Sequence, residues 1–380
     1  MNVYFKHSVC LFITLLSCAL PALAQQAVEK SLQSLMEKYD AVGLAVSVVK
    51  EGEIVYSESF GKKNLETGED LTPQHIFRIA SISKSFSATA VMQLAAAGKL
   101  RLDDDVSGLI GFRVRNPAYP DDRITLKMLL SHTSGLNDSQ GYFTLDVIDP
   151  VKNDSVHKCY NSYRPGAAYQ YCNLNFNMVG TIIERVSGER FDQYIRRHIL
   201  EPLGLYGGYC VDSLDKTRFV TLYEYDNAAK KMNAAPTAYH PRSEEIRNYV
   251  MGRSAPVFSP TGGMKISAAD LARYMTMHMN MGKYKGGRII SARSARLMQT
   301  PVENAEGYGL ALVTSGKLVD GLQLKGHTGS AYGLYSIMFF DPKRKFGIVA
   351  ITNGCNAQSA DGFNELLSSV FRTIYKAMIE

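Results

Sequence analysis

Ser81 and Lys84 stand three residues apart in Arg78-Ile79-Ala80-Ser81-Ile82-Ser83-Lys84. On a helix that spacing puts both side chains on one face, within reach of each other. A serine hydroxyl becomes a useful nucleophile only when a neighbouring base takes its proton, and a desolvated lysine has its pKa lowered toward that task. The spacing alone says little, because Ser-x-x-Lys recurs on solvated helices where such a pair does no chemistry. The position says more. Apolar Phe86, Ala90, Val91, Leu94 and Ala95 follow at helical spacing, with Gly98 as a stop, so Ser81 opens the helix. The free N–H groups at such an end stabilise developing negative charge. Two further clusters stand far away in sequence: Tyr171-Cys172-Asn173, and Gly326-His327-Thr328-Gly329-Ser330.

The elements that must position them alternate between strand and helix patterns. Gly43 to Lys50 and Ile54 to Phe60 run or alternate apolar around Glu51-Gly52, which predicts a hairpin. Helices are expected over Thr125 to Ser131, Asn173 to Val186, Phe191 to Leu200, and from the N-cap Ser267 toward Met279. Strand patterning returns at Tyr308 to Thr314, Leu322 to Lys325, Tyr332 to Phe340 and Phe346 to Thr352, before a last amphipathic helix over Phe363 to Met378. Residues 206–259 read as loops. The fold class is α/β of the α+β kind: an antiparallel sheet flanked by N- and C-terminal helices, with a mainly helical part inserted. The sheet part covers about 25–105 and 285–380, the helical part about 106–284.

Taken together, Ser-x-x-Lys, Tyr-x-Asn and His-Thr-Gly resemble the motif set of the serine β-lactamase and penicillin-binding-protein superfamily. Leu130-Ser131-His132-Thr133-Ser134-Gly135-Leu136, Tyr171 through Phe176 and Ser259-Pro260-Thr261-Gly262-Gly263 are similar to stretches of its class C β-lactamase, D-peptidase and esterase branch, in that branch's order. The resemblance implies an acyl-enzyme on Ser81, with Lys84 as activating partner. Tyr171 is then a second base, as a phenolate, that also protonates the leaving group. It implies that Asn173 binds the substrate carbonyl and Lys84, that the backbone N–H groups of Ser81 and Ser330 form the oxyanion hole, and that His132 and Ser134 are structural. His327, Thr328, Gly329 and Ser330 would line the substrate. His327 departs from the lysine usual in β-lactamases. A histidine titrates near neutrality and offers a weaker, pH-dependent charge to a substrate carboxylate. The implied activity is hydrolysis of D-amino-acid or cell-wall peptides or small esters, without metal or organic cofactor. Acyl transfer, β-lactam hydrolysis and a sensor without turnover are the alternatives.

Composition fits this reading. Hydrophobic residues make up 46% and charged residues 21%, close to globular averages, and +6 over 380 residues with no dense basic block gives no footprint for nucleic acid. Met1 to Lys6 is basic, Ser8 to Leu20 apolar, and Pro21 to Ala24 ends like a cleavage site, so 1–24 reads as a secretory signal of a periplasmic or secreted protein. Leu15-Leu16-Ser17-Cys18 offers a second reading, a lipoprotein anchored at Cys18. The expected partners are small-molecule or peptide substrates, peptidoglycan among them, with a membrane only if Cys18 is lipidated. Beyond residue 24, Cys159, Cys172, Cys210 and Cys355 are structural thiols or two bridges, for which three pairings exist. Met275, Met277, Met279 and Met281 around His278 read as a frayed helix end filling gaps.

Overall fold

The computed structural model describes residues 25–380; the signal and lipid-anchor readings fall on residues outside that range. Six strands form one antiparallel sheet: β1 (Gly43–Lys50), β2 (Glu53–Gly61), β3 (Val313–Ser315), β4 (Leu324–Ala331), β5 (Leu334–Asp341) and β6 (Phe346–Thr352), in the order β3-β4-β5-β6-β1-β2. Strands from the two ends of the chain meet within it, one strand in from the β2 edge, where Leu44 pairs with Thr352 and Lys50 with Phe346.

The near-continuous apolar runs of the central strands follow from burial on both faces. Leu44, Val46 and Val48 of β1, with Ile348 and Ala350 of β6, point to one side. There they meet α1 (25–38) through Val28, Leu32 and Met36, and α5 (Glu365–Ile374) through Leu366, Leu367, Val370 and Phe371. Ala45, Val49, Val349 and Ile351 face the opposite side. That side carries α4 (Ala268–Met279), whose N-cap Ser267 accepts from the Asp270 N–H, as expected. This helix was placed by the sequence in the inserted part; it packs instead across β1, β5 and β6, so the boundary drawn at 285 moves upstream. Met275, Met277 and Met279 are fully buried there, which corrects the frayed end: Met275 fills the space over Gly347, its Cε 2.4 Å from where a Cβ would stand.

Beyond α4 lie α2 (Ser83–Ala96) and α3 (Asn173–Ser187), which share one core with the sheet. Other boundaries shift. The expected strand at Tyr308 is a turn in which the Gly309 N–H donates to Leu312, and residues 206–259 contain a hairpin of Tyr223–Asp226 with Lys231–Ala234. The expected strands at 322 and 332 become β4 and β5, joined at Tyr332-Gly333, where both φ angles are positive. A Cβ at Gly333 would stand 1.8 Å from the Tyr223 carbonyl, so only glycine closes this hairpin.

His278, inside α4, is fully buried, and burial pushes it from 6.5 to about 3. The folded chain therefore holds it neutral while the unfolded chain binds a proton below about 6.5. Its contribution is complete above that pH and is lost as pH falls toward 3, at about 1.4 kcal/mol per pH unit. Denaturant unfolding at pH 6, 5 and 4 should show a shallower loss of stability in His278→Gln than in the wild type, by about one proton's slope. Equal slopes would mean that His278 is protonated in the folded chain.

Candidate active site

Ser81 lies in a single 3-10 turn, Ala80–Ile82, immediately before α2, rather than in the α-helix itself. Ala80 has φ +48, a left-handed conformation unusual for alanine, and this kink presents the Ser81 side chain to a cleft of about 540 Å³. Strand β4 runs against the same turn. A Cβ on Gly329 would stand 2.3 Å from the Ile79 carbonyl and 2.4 Å from Ser336 Oγ, which itself donates to Ile79, so glycine there lets β4 close one wall of the cleft. Thr328 and Ser330 border the cleft beside Ser81, Tyr171 and Asn173.

Lys84, the second residue of α2 and three residues after Ser81, is fully buried. Its Nζ reaches three acceptors: Ser81 Oγ at 3.1 Å, Asn173 Oδ1 at 2.9 Å and the Thr261 carbonyl at 3.0 Å. Desolvation lowers its pKa from 10.5 to about 7, against the opposing charge of Asp138. Near neutrality a large fraction is free amine, hydrogen-bonded to the hydroxyl it would deprotonate.

Asn173 is the first residue of α3, and Asp138 organises that end. Its carboxylate accepts from the backbone N–H groups of Asn173 (2.8 Å) and Leu174 (3.0 Å), where the helix dipole favours a negative charge. It also accepts from Asn173 Nδ2 at 3.0 Å, which turns Oδ1 toward Lys84 and Thr261 Oγ1. Neither Asp138 nor Thr261 was singled out in the sequence as a site residue. Asp138 meets α3 across 35 positions with no periodicity to mark it, and Thr261 offers Lys84 a backbone carbonyl that any residue would supply.

Tyr171 enters from the segment leading into α3, its ring 4.7 Å from Lys84 Nζ and 4.3 Å from the ring of His132. His132 Nδ1 accepts from the Cys172 N–H at 3.1 Å, tying this segment down. The resting phenolate expected for Tyr171 is corrected. Burial pushes the phenol well up, only partly offset by its hydrogen bond with Ser81, so the hydroxyl keeps its proton.

His327 is also corrected. It borders the cleft, but the residue is only 4% exposed and both ring nitrogens are engaged. Nδ1 lies 2.5 Å from the Thr328 carbonyl, which can only accept, so Nδ1 carries the proton and Nε2 accepts from the Tyr308 hydroxyl at 2.6 Å. Burial and the nearby Lys84 push its pKa down to about 3. It supplies no cation near neutrality. The cation on this cleft is Arg78, whose guanidinium is bound to the Gly262 and Ala238 carbonyls at 3.0 and 3.2 Å and lies under the Tyr332 ring. Among the described residues, Cys159, Cys172, Cys210 and Cys355 are buried free thiols, and none of them is bridged.

A family profile described as Beta-lactamase matches residues 28–366. Penicillin-binding protein 4 of Amycolatopsis lactamdurans is 30% identical over 362 residues, covering 90% of this chain and 89% of that protein. Among solved structures, the octameric penicillin-binding protein homologue from Pyrococcus abyssi superposes with a TM-score of 0.72 at 27% identity, over 93% of this chain and 77% of that one. EstCE1, described as a hydrolase with promiscuous acyltransferase activity, shares the fold at a TM-score of 0.73 and 22% identity, over 93% of this chain and 100% of its own. With a serine, a lysine, a tyrosine and an asparagine converging on one cleft, the chain belongs to the β-lactamase family, whose members are serine hydrolases.

Proposed function

We propose that the protein is an exported hydrolase that acylates Ser81 with the carbonyl of a small ester or a D-amino-acid or cell-wall peptide, and passes the acyl group to water. The buried Lys84 amine, 3.1 Å from Ser81 Oγ and poised near pH 7, carries this reading. Lys84 takes the hydroxyl proton as Oγ bonds to the substrate carbonyl carbon. The oxyanion is held by the backbone N–H groups of Ser81 and Ser330. The neutral Tyr171 hydroxyl gives its proton to the departing oxygen or nitrogen and recovers one from Lys84, so the proton lost by Ser81 leaves with the alcohol or amine. Water then attacks the acyl-enzyme, yields its proton to the same pair, and the proton returns to Ser81.

Substrates whose recognised part is neutral fit this cleft best. His327 holds no positive charge for a carboxylate, the Arg78 guanidinium on the cleft is already bound to the Gly262 and Ala238 carbonyls, and the exposed ring of Phe143 with its neighbour Tyr142, 4.4 Å away, gives the cleft an aromatic rim. This favours esters and peptides recognised through their acyl side over release of a carboxylate-bearing terminal residue.

A fluorophosphonate or fluorescent penicillin should add its mass to the Ser81 peptide, and p-nitrophenyl esters should turn over; Ser81→Ala should lose both. Label that persists without any ester turnover would make the chain a sensor, and a product diverted onto added alcohol would make it an acyltransferase. The acylation rate should fall about tenfold per unit below a midpoint near pH 7, as Lys84 gains its proton. The ratio of neutral to carboxylate-bearing ester hydrolysis should stay constant from pH 5 to 8; a ratio that changes across that window would return a titrating role to His327. Asp138→Asn should lower kcat/KM by about 10²-fold through misplacement of Asn173. It should also move the acid limb to lower pH, because the Asp138 charge raises the Lys84 pKa. A lower rate with an unmoved limb would reduce Asp138 to a helix cap.

A further inference from the structure

Glu224 lines the cleft together with Tyr332, and it also lines a second hollow of about 290 Å³, near the lower end of the range for small-molecule sites. Two parts of the chain wall this hollow. The strand Tyr223–Asp226 supplies Glu224 and Tyr225, with Asn227 at its turn; the end of the large sheet supplies Tyr335 of β5, then Asn356 and Gln358 beyond β6. Tyr223 pins the two together. It is fully buried, its N–H donates to the Asn353 carbonyl at 2.8 Å, and its hydroxyl accepts from the Leu65 N–H at 2.7 Å and donates to Glu66. A Cβ on Gly354 would stand 2.8 Å from Tyr223 Cβ, so glycine lets the sheet approach here as Gly333 does at the neighbouring turn. The walls are therefore set before a ligand arrives, which spares binding the cost of ordering them.

The chemistry of the lining selects the occupant. The amides of Asn227, Asn356 and Gln358 and the hydroxyls of Tyr225 and Tyr335 can each donate and accept, while Glu224 accepts. Burial pushes the Tyr335 phenol up, so its hydroxyl keeps its proton. Of these six, only Asn356 makes a side-chain hydrogen bond within the described residues, to Asp40 Oδ2 at 3.2 Å. The others are left to water or a ligand. No lysine, arginine or histidine is among the lining residues, so an anion would find no countercharge. Neutral groups that donate and accept match hydroxyls, which do the same, and a ring carrying several hydroxyls engages both walls at once. Tyr171 lies outside this lining, so an occupant belongs to the part of the substrate that Tyr171 does not protonate, the acyl part.

We propose that the hollow binds one neutral sugar ring of pyranose size, which under the proposed acylation of Ser81 is carried on the acyl part of the substrate. Glu224, shared by the two spaces, then stands where the sugar joins the acyl chain.

Saturation-transfer NMR on the whole protein should show N-acetylglucosamine bound, with glucosamine, its cationic counterpart, bound no better. Asn227→Ala combined with Gln358→Ala, two exposed positions, should lose the transfer. Two p-nitrophenyl esters test the link to the cleft, one with an acyl chain ending in an N-acetylglucosaminyl ring and one ending in a cyclohexyl ring. The sugar ester should have the lower KM by about tenfold, the worth of one or two hydrogen bonds, and the double variant should bring the two KM values together. No transfer to the wild type, or transfer retained in the double variant, would overturn the proposal. A preference for glucosamine would overturn it too, by making Glu224 an ammonium site. Equal KM values in the wild type would overturn the placing of the ring on the acyl part. Fluorophosphonate labelling of Ser81, read alongside, separates the two readings: transfer without labelling would sink the acylation and uphold the sugar site, and labelling without transfer would do the reverse.

Discussion

The arrangement depends on a lysine amine taken out of water. Lys84 has no solvent and no carboxylate within hydrogen-bonding distance; its Nζ has a hydroxyl, an amide oxygen and a peptide carbonyl, each from a different part of the chain. Neutral acceptors satisfy its N–H groups without compensating its charge, so burial lowers the pKa while the hydrogen bonds keep the side chain in place. A carboxylate in direct contact would hold the amine protonated and useless as a base. Asp138 sits one residue further out, bonded to the Asn173 amide. From there it tempers the desolvation without cancelling it.

That demand explains several local costs. Ala80 adopts a left-handed φ so that the 3-10 turn can present Ser81, and Gly329 gives up its side chain so that β4 can pass against Ile79. His132, also at positive φ, buries a ring nitrogen with no partner while its other nitrogen holds the Cys172 N–H and its face supports Tyr171. Strain of this kind persists where the surrounding packing over-determines it, and here it gathers around one cleft.

The sheet, the principal helices and the convergence of the three motifs were legible because they depend on side-chain type and period. β1 appears over Gly43–Lys50 as its near-continuous apolar run requires, and α3 begins at Asn173 as read. What was not legible depends on backbone atoms or on contacts between distant loops. The Thr261 carbonyl, the Asp138 cap and the turn at 308 leave no periodic trace. Protonation states were the least legible of all. Histidine and tyrosine at their motif positions suggested a titrating cation and a phenolate, and both readings failed because a residue's type does not tell how deeply its neighbours bury it.

The neutral His327 changes what the strand beside it is for. In place of a charge aimed at substrate, its ring bridges the Thr328 carbonyl and the Tyr308 hydroxyl, so it ties β4 to the turn that the sequence suggested was a strand. A lysine there would need its ammonium desolvated a short distance from Lys84, and two buried ammonium groups would each lower the other's pKa. Histidine, neutral at 4% exposure, avoids that competition and leaves Lys84 as the group whose protonation changes near neutral pH. The aromatic side chains of Tyr142, Phe143 and Tyr332 line the same cleft as the Arg78 guanidinium, so its wall is shaped by apolar rings as well as by charge. On the proposed acylation of Ser81, such a rim would grade acyl groups by the apolar surface they bury, at about 0.8 kcal/mol per methylene.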